Sequence, residues 1–305
     1  MKIIDVDIAI NKAIKWILDN RNLLGIADIS DWNRKMVLLK PIGEFVLTLD
    51  VLKSYDTKEP DIESGLSWAW QQFDEGNLLI DILLARPDLI MILSIYSNFA
   101  RNGYENKKFE TFVEYLLTLN SIKNIEYPLW RKIDLDYSTA KLQGKDFSIE
   151  AQLKDTWIGN YPEPWTINND FAYSMTHEIF YATDFGKYNS LPTQLIEYIK
   201  FWLPAWMEIY ANVPDWDIFA ELIMVGECID STYDSHTSVE MLVKAQHENG
   251  LFPSPSGGGG SLIRRQDSQE RVNFLTNYHT TFVSLMALIM YRNNMKTKSN
   301  ISFTG

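Results

Sequence analysis

Three side chains capable of chemistry recur at equal intervals in this sequence: His177, Cys228 and His279, each 51 residues from the next. Each stands near the middle of a mainly apolar segment: FAYSMTHEIFYATDFG from Phe171, FAELIMVGECIDSTYD from Phe219 and RVNFLTNYHTTFVSLM from Arg271. A thiolate with two imidazoles is a zinc ligand set that leaves a fourth position for water or substrate. Zinc so held lowers the pKa of a bound water or polarises a carbonyl. Without metal, the same groups make a Cys–His nucleophile pair or an acid–base site. A third reading leaves them in the core, where an isolated cysteine usually acts as a small buried hydrophobe.

Further ionisable groups lie beside these three. On a helix His177, Tyr181 and Asp184 fall at i, i+4 and i+7 and share one stripe, with the carboxylate placed to orient the imidazole for acid–base work. The structural alternative is a His–Asp pair that satisfies a buried polar layer. Glu227, Asp230 and Asp234 read as a second stripe, fit for a divalent cation or an ammonium group, or simply an exposed acidic face. His236, in DSHTSVE, marks a helix entry, and His247 stands near the end of that helix, where an imidazole favours the terminal carbonyls.

Helices must position these groups, because apolar residues recur at three- and four-residue spacing and strict alternation is scarce. The pattern predicts helices over 5–20, 33–55, 61–75, 79–99, 105–122, 129–143, 168–186, 191–211, 214–231, 236–249 and 269–293. The three chemistry-bearing segments alternate with LPTQLIEYIKFWLPAWMEIY and SHTSVEMLVKAQHENG, giving the order inner, outer, inner, outer, inner. A helix, a turn and a return helix repeating every ~40–50 residues is the mark of stacked helical hairpins. The fold expected is all-α, with an N-terminal helical half over 1–145 and a C-terminal half over 146–305. The stretch 144–167, with Trp157 and Trp165, has no clear period and is the better candidate for a pocket rim.

One segment breaks the pattern. FPSPSGGGGSLIRR holds four consecutive glycines, in a chain with 15 glycines among 305 residues. GGGGS, 257–261, is the repeat unit of designed flexible linkers, and it reads here as an engineered replacement for a natural hairpin loop. A natural loop at that place would serve as a lid over the pocket mouth.

AQHENGLF, Ala245 to Phe252, followed by NYHTTFVSLMAL, Asn277 to Leu288, resembles the Q-x-x-x-G-x-aromatic turn and the Y-H-T inner helix of the α/α-toroid proteins. These include terpene cyclases, protein prenyltransferase β subunits and lanthionine cyclases. The resemblance covers about the C-terminal 135 residues and implies a complete or partial toroid. In the prenyltransferase branch it also implies zinc, with His279 matching the motif histidine and Cys228 a candidate for the cysteine. The D-x-C of that branch is not present, and Gly226-Glu227-Cys228 stands in its place. The T-H-x-x-F-Y-x-T-D-F-G block, Thr176 to Gly186, further resembles uncharacterised helical proteins of bacterial natural-product gene clusters.

Composition narrows the function. With 46% hydrophobic residues, 10 Trp, 15 Tyr and 15 Phe, the chain has material for a large core. Its net charge of −12 and lack of a basic cluster argue against nucleic acid. Asp5 and Asp7 interrupt any leader-like apolar run, no span suits a membrane, and one cysteine fits a reducing compartment, so a cytoplasmic protein is expected. P-loop, G-x-S-x-G, H-E-x-x-H and G-x-G-x-x-G patterns are missing. The expectation is an enzyme of bacterial specialised metabolism. It would act on a small molecule or carrier-linked intermediate by ring closure, elimination or group transfer, with His177, Tyr181, Asp184, Glu227 and His279 as catalytic groups and zinc as the candidate cofactor. The other class open to this sequence is a helical-repeat scaffold that binds a peptide or protein.

Overall fold

The computed structural model describes residues 3–55, 60–256 and 258–302, and these form helices joined by turns, with no strand among the described residues. The helices are α1 (Ile3–Asp19), α2 (Trp32–Ser54), α3 (Pro60–Gln72), α4 (Asn77–Ala85), α5 (Leu93–Arg101), α6 (Lys107–Thr118) and α7 (Asn120–Lys123). They continue with α8 (Leu129–Leu142), α9 (Glu150–Leu153), α10 (Asn169–Ala182), α11 (Thr193–Asn212), α12 (Trp216–Ile229), α13 (His236–Ala245) and α14 (Gln269–Ser302). None of the described helices is long and apolar enough to cross a membrane.

The chain divides into two compact units, Leu24–Phe147 and Met1–Leu23 with Ser148–Gly305. The boundary falls close to the break in periodicity near 145. The first 23 residues join the later part of the chain, because α1 lies along α14: Trp16 stacks on Phe274 at 5.1 Å and Arg292 reaches Asp7 at 3.2 Å.

In the Leu24–Phe147 unit, the single helix expected over 79–99 is two. Pro87 lacks an amide hydrogen and forces extended geometry on the residue before it, and Arg86 has φ −142° and ψ 77°. A 3-10 turn, Pro87–Ile92, then leads into α5. Arg101 at the end of α5 donates to Tyr137 at 2.7 Å and Asn98 at 2.9 Å and pairs with Asp50, tying α2, α5 and α8 through one polar network.

The two units share an unusual turn. Asp74, Glu75 and Gly76 follow α3 with φ of 49°, 51° and 87°, and Asp184, Phe185 and Gly186 follow α10 with 45°, 53° and 84°. The backbone bonds also match: Glu75 N donates to Trp70 O and Leu78 N to Phe73 O, as Phe185 N does to Phe180 O and Tyr188 N to Thr183 O. Three consecutive left-handed residues cannot belong to a right-handed helix. They stop α10 at Ala182, four residues before the predicted end at 186.

In the unit that carries the candidate residues, α10, α12 and α14 run parallel. Tyr173 and Thr176 of α10 bond to Asp217 and Glu221 of α12, while Thr280 and Asn294 of α14 bond to Asp217 and Glu227. Partner positions therefore rise together along each pair. α11 returns antiparallel to α12, with Lys200 beside Asp230 and the Tyr210 carbonyl bonded to the Asp215 amide. The inner helix α12 is buried on every side from Asp217 to Ile229, which explains its nearly continuous apolar sequence.

The glycine-rich segment lies against α14. Gly257 is outside the described residues. Its neighbours Gly258 and Gly259 approach the helix so closely that an added Cβ would strike Ser254 and the Thr276 carbonyl at one position, and the Leu275 carbonyl at the other. Gly259 also has φ +68°. Gly259→Ala is expected to cost about 1–3 kcal/mol in chemical denaturation, from strain and overlap together; a free spacer would absorb the change without effect. The loop enters this position through α14 side chains, as the Phe252 amide donates to Thr281 at 3.0 Å and the Ser254 amide to Asn277 at 3.0 Å. Asn277 and Thr281 are each two residues from His279, about 200° around the helix. The loop thus enters along the face of α14 turned away from His279, and at Gly258 and Gly259 it meets the helix at Thr276 and Leu275, about one turn before His279.

Candidate functional site

α10 starts at Asn168, whose side chain takes the Phe171 amide at 2.9 Å, and α12 starts at Asp215, which takes the Ile218 amide at 3.2 Å. These caps set the register of two parallel helices so that Tyr173, Thr176 and His177 face Asp217 and Glu221. His279 and Thr280 arrive from α14. The result is a cluster of two imidazoles and two carboxylates drawn from three helices.

Glu221 lies between the histidines. Its Oε2 is 3.8 Å from His177 Nδ1 and its Oε1 is 3.8 Å from His279 Nε2. Asp217 Oδ2 is 3.5 Å from the same His279 nitrogen. Hydroxyl groups fix both carboxylates. Thr176 donates to Glu221 at 2.5 Å, Tyr173 to Asp217 Oδ2 at 2.5 Å, and Thr280 to Asp217 Oδ1 at 3.0 Å. Burial, reinforced by the Asp217 and Glu221 charges, raises the Tyr173 phenol far above its ordinary range, so it stays a donor at any accessible pH. Burial also raises Asp215, with the Ile218 amide opposing and Asp217 adding to the rise.

The carboxylates are buried while the rings reach solvent: the side chains of His177 and His279 are 26% and 24% exposed. His177 Nδ1 lies 2.7 Å from the Tyr173 carbonyl, which can only accept, so Nδ1 carries the hydrogen. In the neutral ring the lone pair is then on Nε2.

The structure groups some of the sequence candidates and separates others. His177 and His279 converge. Tyr181 is buried with its ring 6.3 Å from that of His177, as an aromatic neighbour. Asp184 leaves the stripe, because α10 has ended and the left-handed turn has begun; it lies 4.0 Å from Lys187. Asp230 and Asp234 likewise leave the expected acidic stripe, since α12 ends at Ile229. Asp230 pairs with Lys200 at 2.9 Å, and Asp234 takes the His236 amide at 3.1 Å. Glu227 is buried at the far end of α12, where Ser235 and Asn294 donate to it; burial raises its pKa against those bonds. His236 bonds through Nδ1 to the Tyr291 hydroxyl at 2.7 Å, a link between α13 and α14.

Cys228 does not join the histidines. It is seven residues beyond Glu221, ~10.5 Å along the helix, and close to Thr183. Burial pushes its thiol up to about 12, opposite to the depressed pKa of reactive and metal-binding cysteines. Zinc needs its ligands ~2.0–2.3 Å from one point, and His177 Nδ1 is already committed to a carbonyl. His177, Cys228 and His279 are therefore not one ligand set, and among the described residues no group of three or more His, Cys, Asp or Glu is arranged to hold a metal ion. The missing D-x-C has its own cause: a Cβ on Gly226 would come within 2.6 Å of the Tyr233 ring. An aspartate has no room there.

Asp217 and Glu221 were not among the sequence candidates. Their signal was present, as two carboxylates one turn apart on an otherwise apolar helix. Such groups are seldom buried without partners. The motif NYHTT also resolves residue by residue: Asn277 and Thr281 hold the loop, His279 faces the carboxylates, and Thr280 grips Asp217.

Fold and cluster together define an all-helical protein with a partly exposed histidine pair backed by buried carboxylates. The chain belongs to the family described as Domain of unknown function (DUF6895), whose match spans residues 10–289 and so covers most of both units and the whole cluster. No curated protein and no solved structure matches it.

Proposed function

We propose that the chain is an enzyme in which His177 and His279 exchange protons with a small-molecule or carrier-linked substrate, in a ring closure, elimination or group transfer of bacterial specialised metabolism. One observation carries the reading: both imidazoles reach solvent while lying within 3.8 Å of the same buried carboxylate. A carboxylate behind a histidine holds its tautomer and stabilises the imidazolium formed when the ring takes a proton. His177 is the base, through Nε2. His279, with two carboxylates at Nε2, is the proton donor. Glu221 couples the two, so a proton gained on one side favours release from the other.

The three parallel helices, with antiparallel returns, are also the arrangement expected of the inner layer of an α/α toroid, complete or partial. In this reading the enzyme works in the cytoplasm without nucleic acid.

Comparison of metabolite profiles tests the assignment. A bacterial small-molecule extract incubated with the purified chain is expected to lose at least one compound and gain a related one, and His177→Gln or His279→Gln is expected to slow that change at least ~100-fold. Conversion undiminished in both variants removes the histidines from the chemistry. An extract unchanged by the parent chain, with labelled peptides retained instead, favours the scaffold class.

A further inference from the structure

The irregular stretch before α10 is strapped onto α11. Tyr198 donates its hydroxyl to the Pro162 carbonyl, Trp206 Nε1 donates to the Pro164 carbonyl at 2.9 Å, and the Tyr161 and Tyr198 rings meet edge-on at 5.5 Å. This strap and the outer face of α11 leave large apolar side chains in water. Trp165 is 77% exposed and Phe201 72%. Ile209, two turns beyond Phe201 on α11, and Val213, just past the end of that helix, are exposed as well. Large apolar side chains exposed together on the strap and on the helix that holds it mark an interaction surface.

Charge identifies what fits it. Glu163 stands in the strap, and Glu197 and Glu208 flank Phe201 on α11; all three are exposed. Lys200, the one cation in the α11 sequence, is already held by Asp230 at 2.9 Å and Glu197 at 3.5 Å. At the base of the strap the exposed Lys154 and Asp155 offset each other. A second copy of the chain would bring Glu197 and Glu208 against their own equivalents and add another charge of −12. A partner rich in lysine or arginine gains from the same carboxylates, and its cations can also lie on the exposed indole.

We propose that this surface docks a basic amphipathic helix of another protein, with its apolar side on Trp165 and Phe201 and its lysines or arginines against Glu163, Glu197 and Glu208. Helix-in-groove recognition of this type takes its affinity from a few apolar anchors and its specificity from the charged rim. The site is independent of the histidine cluster.

The probe is a fluorescent 18-residue leucine/lysine helix, with the corresponding leucine/glutamate helix as control, titrated against the full chain. The lysine peptide is expected to bind with an affinity that falls as salt rises, and the glutamate peptide not at all. Trp165→Ser and Phe201→Ser, both at exposed positions, are expected to weaken binding at least tenfold while circular dichroism stays unchanged. Glu197→Gln with Glu208→Gln is expected to flatten the salt dependence. Binding unaffected by the serine variants, no binding of the lysine peptide, or a concentration-dependent dimer abolished by Phe201→Ser would each overturn the proposal.

Discussion

Glu178→Gln is expected to leave unfolding free energy unchanged near pH 4.5 and to raise it by about 2–4 kcal/mol at pH 8. Glu178 is only 3% exposed, its Oε2 has no hydrogen-bond partner among the described residues, and burial pushes its carboxyl up to about 8, against a bond from Thr156. A folded-state pKa above the unfolded value of about 4.3 means that the folded chain keeps a proton which the unfolded chain releases. The stability linked to that proton is fully present below about pH 4.3. It declines by up to about 1.4 kcal/mol per unit as pH rises, until the folded carboxyl also ionises near 8. Glutamine resembles the neutral acid at every pH and escapes the decline. Urea titrations of both proteins at pH 4.5, 6 and 8 check this, and parallel pH profiles would refute it.

Glu221→Gln is the most damaging change expected at the histidine cluster. It keeps the shape of a buried side chain but removes the charge that faces both imidazoles. Conversion of whatever compound the metabolite comparison identifies is expected to fall by about 10²–10⁴-fold. An independent readout needs no substrate. By NMR, the ring signals of His177 and His279 are expected to titrate at lower pH than in the parent chain, because a nearby carboxylate favours the imidazolium. A loss of activity with both titrations unmoved would assign Glu221 to the fold alone. Tyr173→Phe separates the two rings: it removes a donor from Asp217, which faces His279, and keeps the backbone carbonyl that holds His177.

Much of the fold was legible in the sequence, for a physical reason. Apolar spacing reports burial directly, so the succession of helices was readable, and His177 and His279 stand on two of them. The misreadings came from backbone geometry. No hydrophobic period announces that Asp184 and Phe185 adopt left-handed φ, and without that knowledge Asp184 stays on the His177 stripe. Pro87 carries the break within 79–99, since a proline forces extended geometry on the residue before it. Equal spacing of His177, Cys228 and His279 invited a shared site, yet level on parallel helices depends on register. Register here comes from the Asn168 and Asp215 caps and from the Tyr173 and Thr176 bonds. Asp217 and Glu221 sit just before and within the apolar run FAELIMVG, where hydrophobic spacing carries no mark of a paired buried carboxylate.

The parallel course of α10, α12 and α14 has an electrostatic consequence. Peptide dipoles within one helix add, and in parallel neighbours the ends of like sign lie side by side. The returning α11 cancels much of this at long range, but within a turn of each terminus the local field persists. Asp217, in the first turn of α12, sits at a positive end, which offsets part of its burial cost. Glu227, in the last turn, sits at a negative end, and burial raises its carboxyl. Helix polarity thus favours negative charge at the head of α12, where Asp217 faces His279, and disfavours it at the foot.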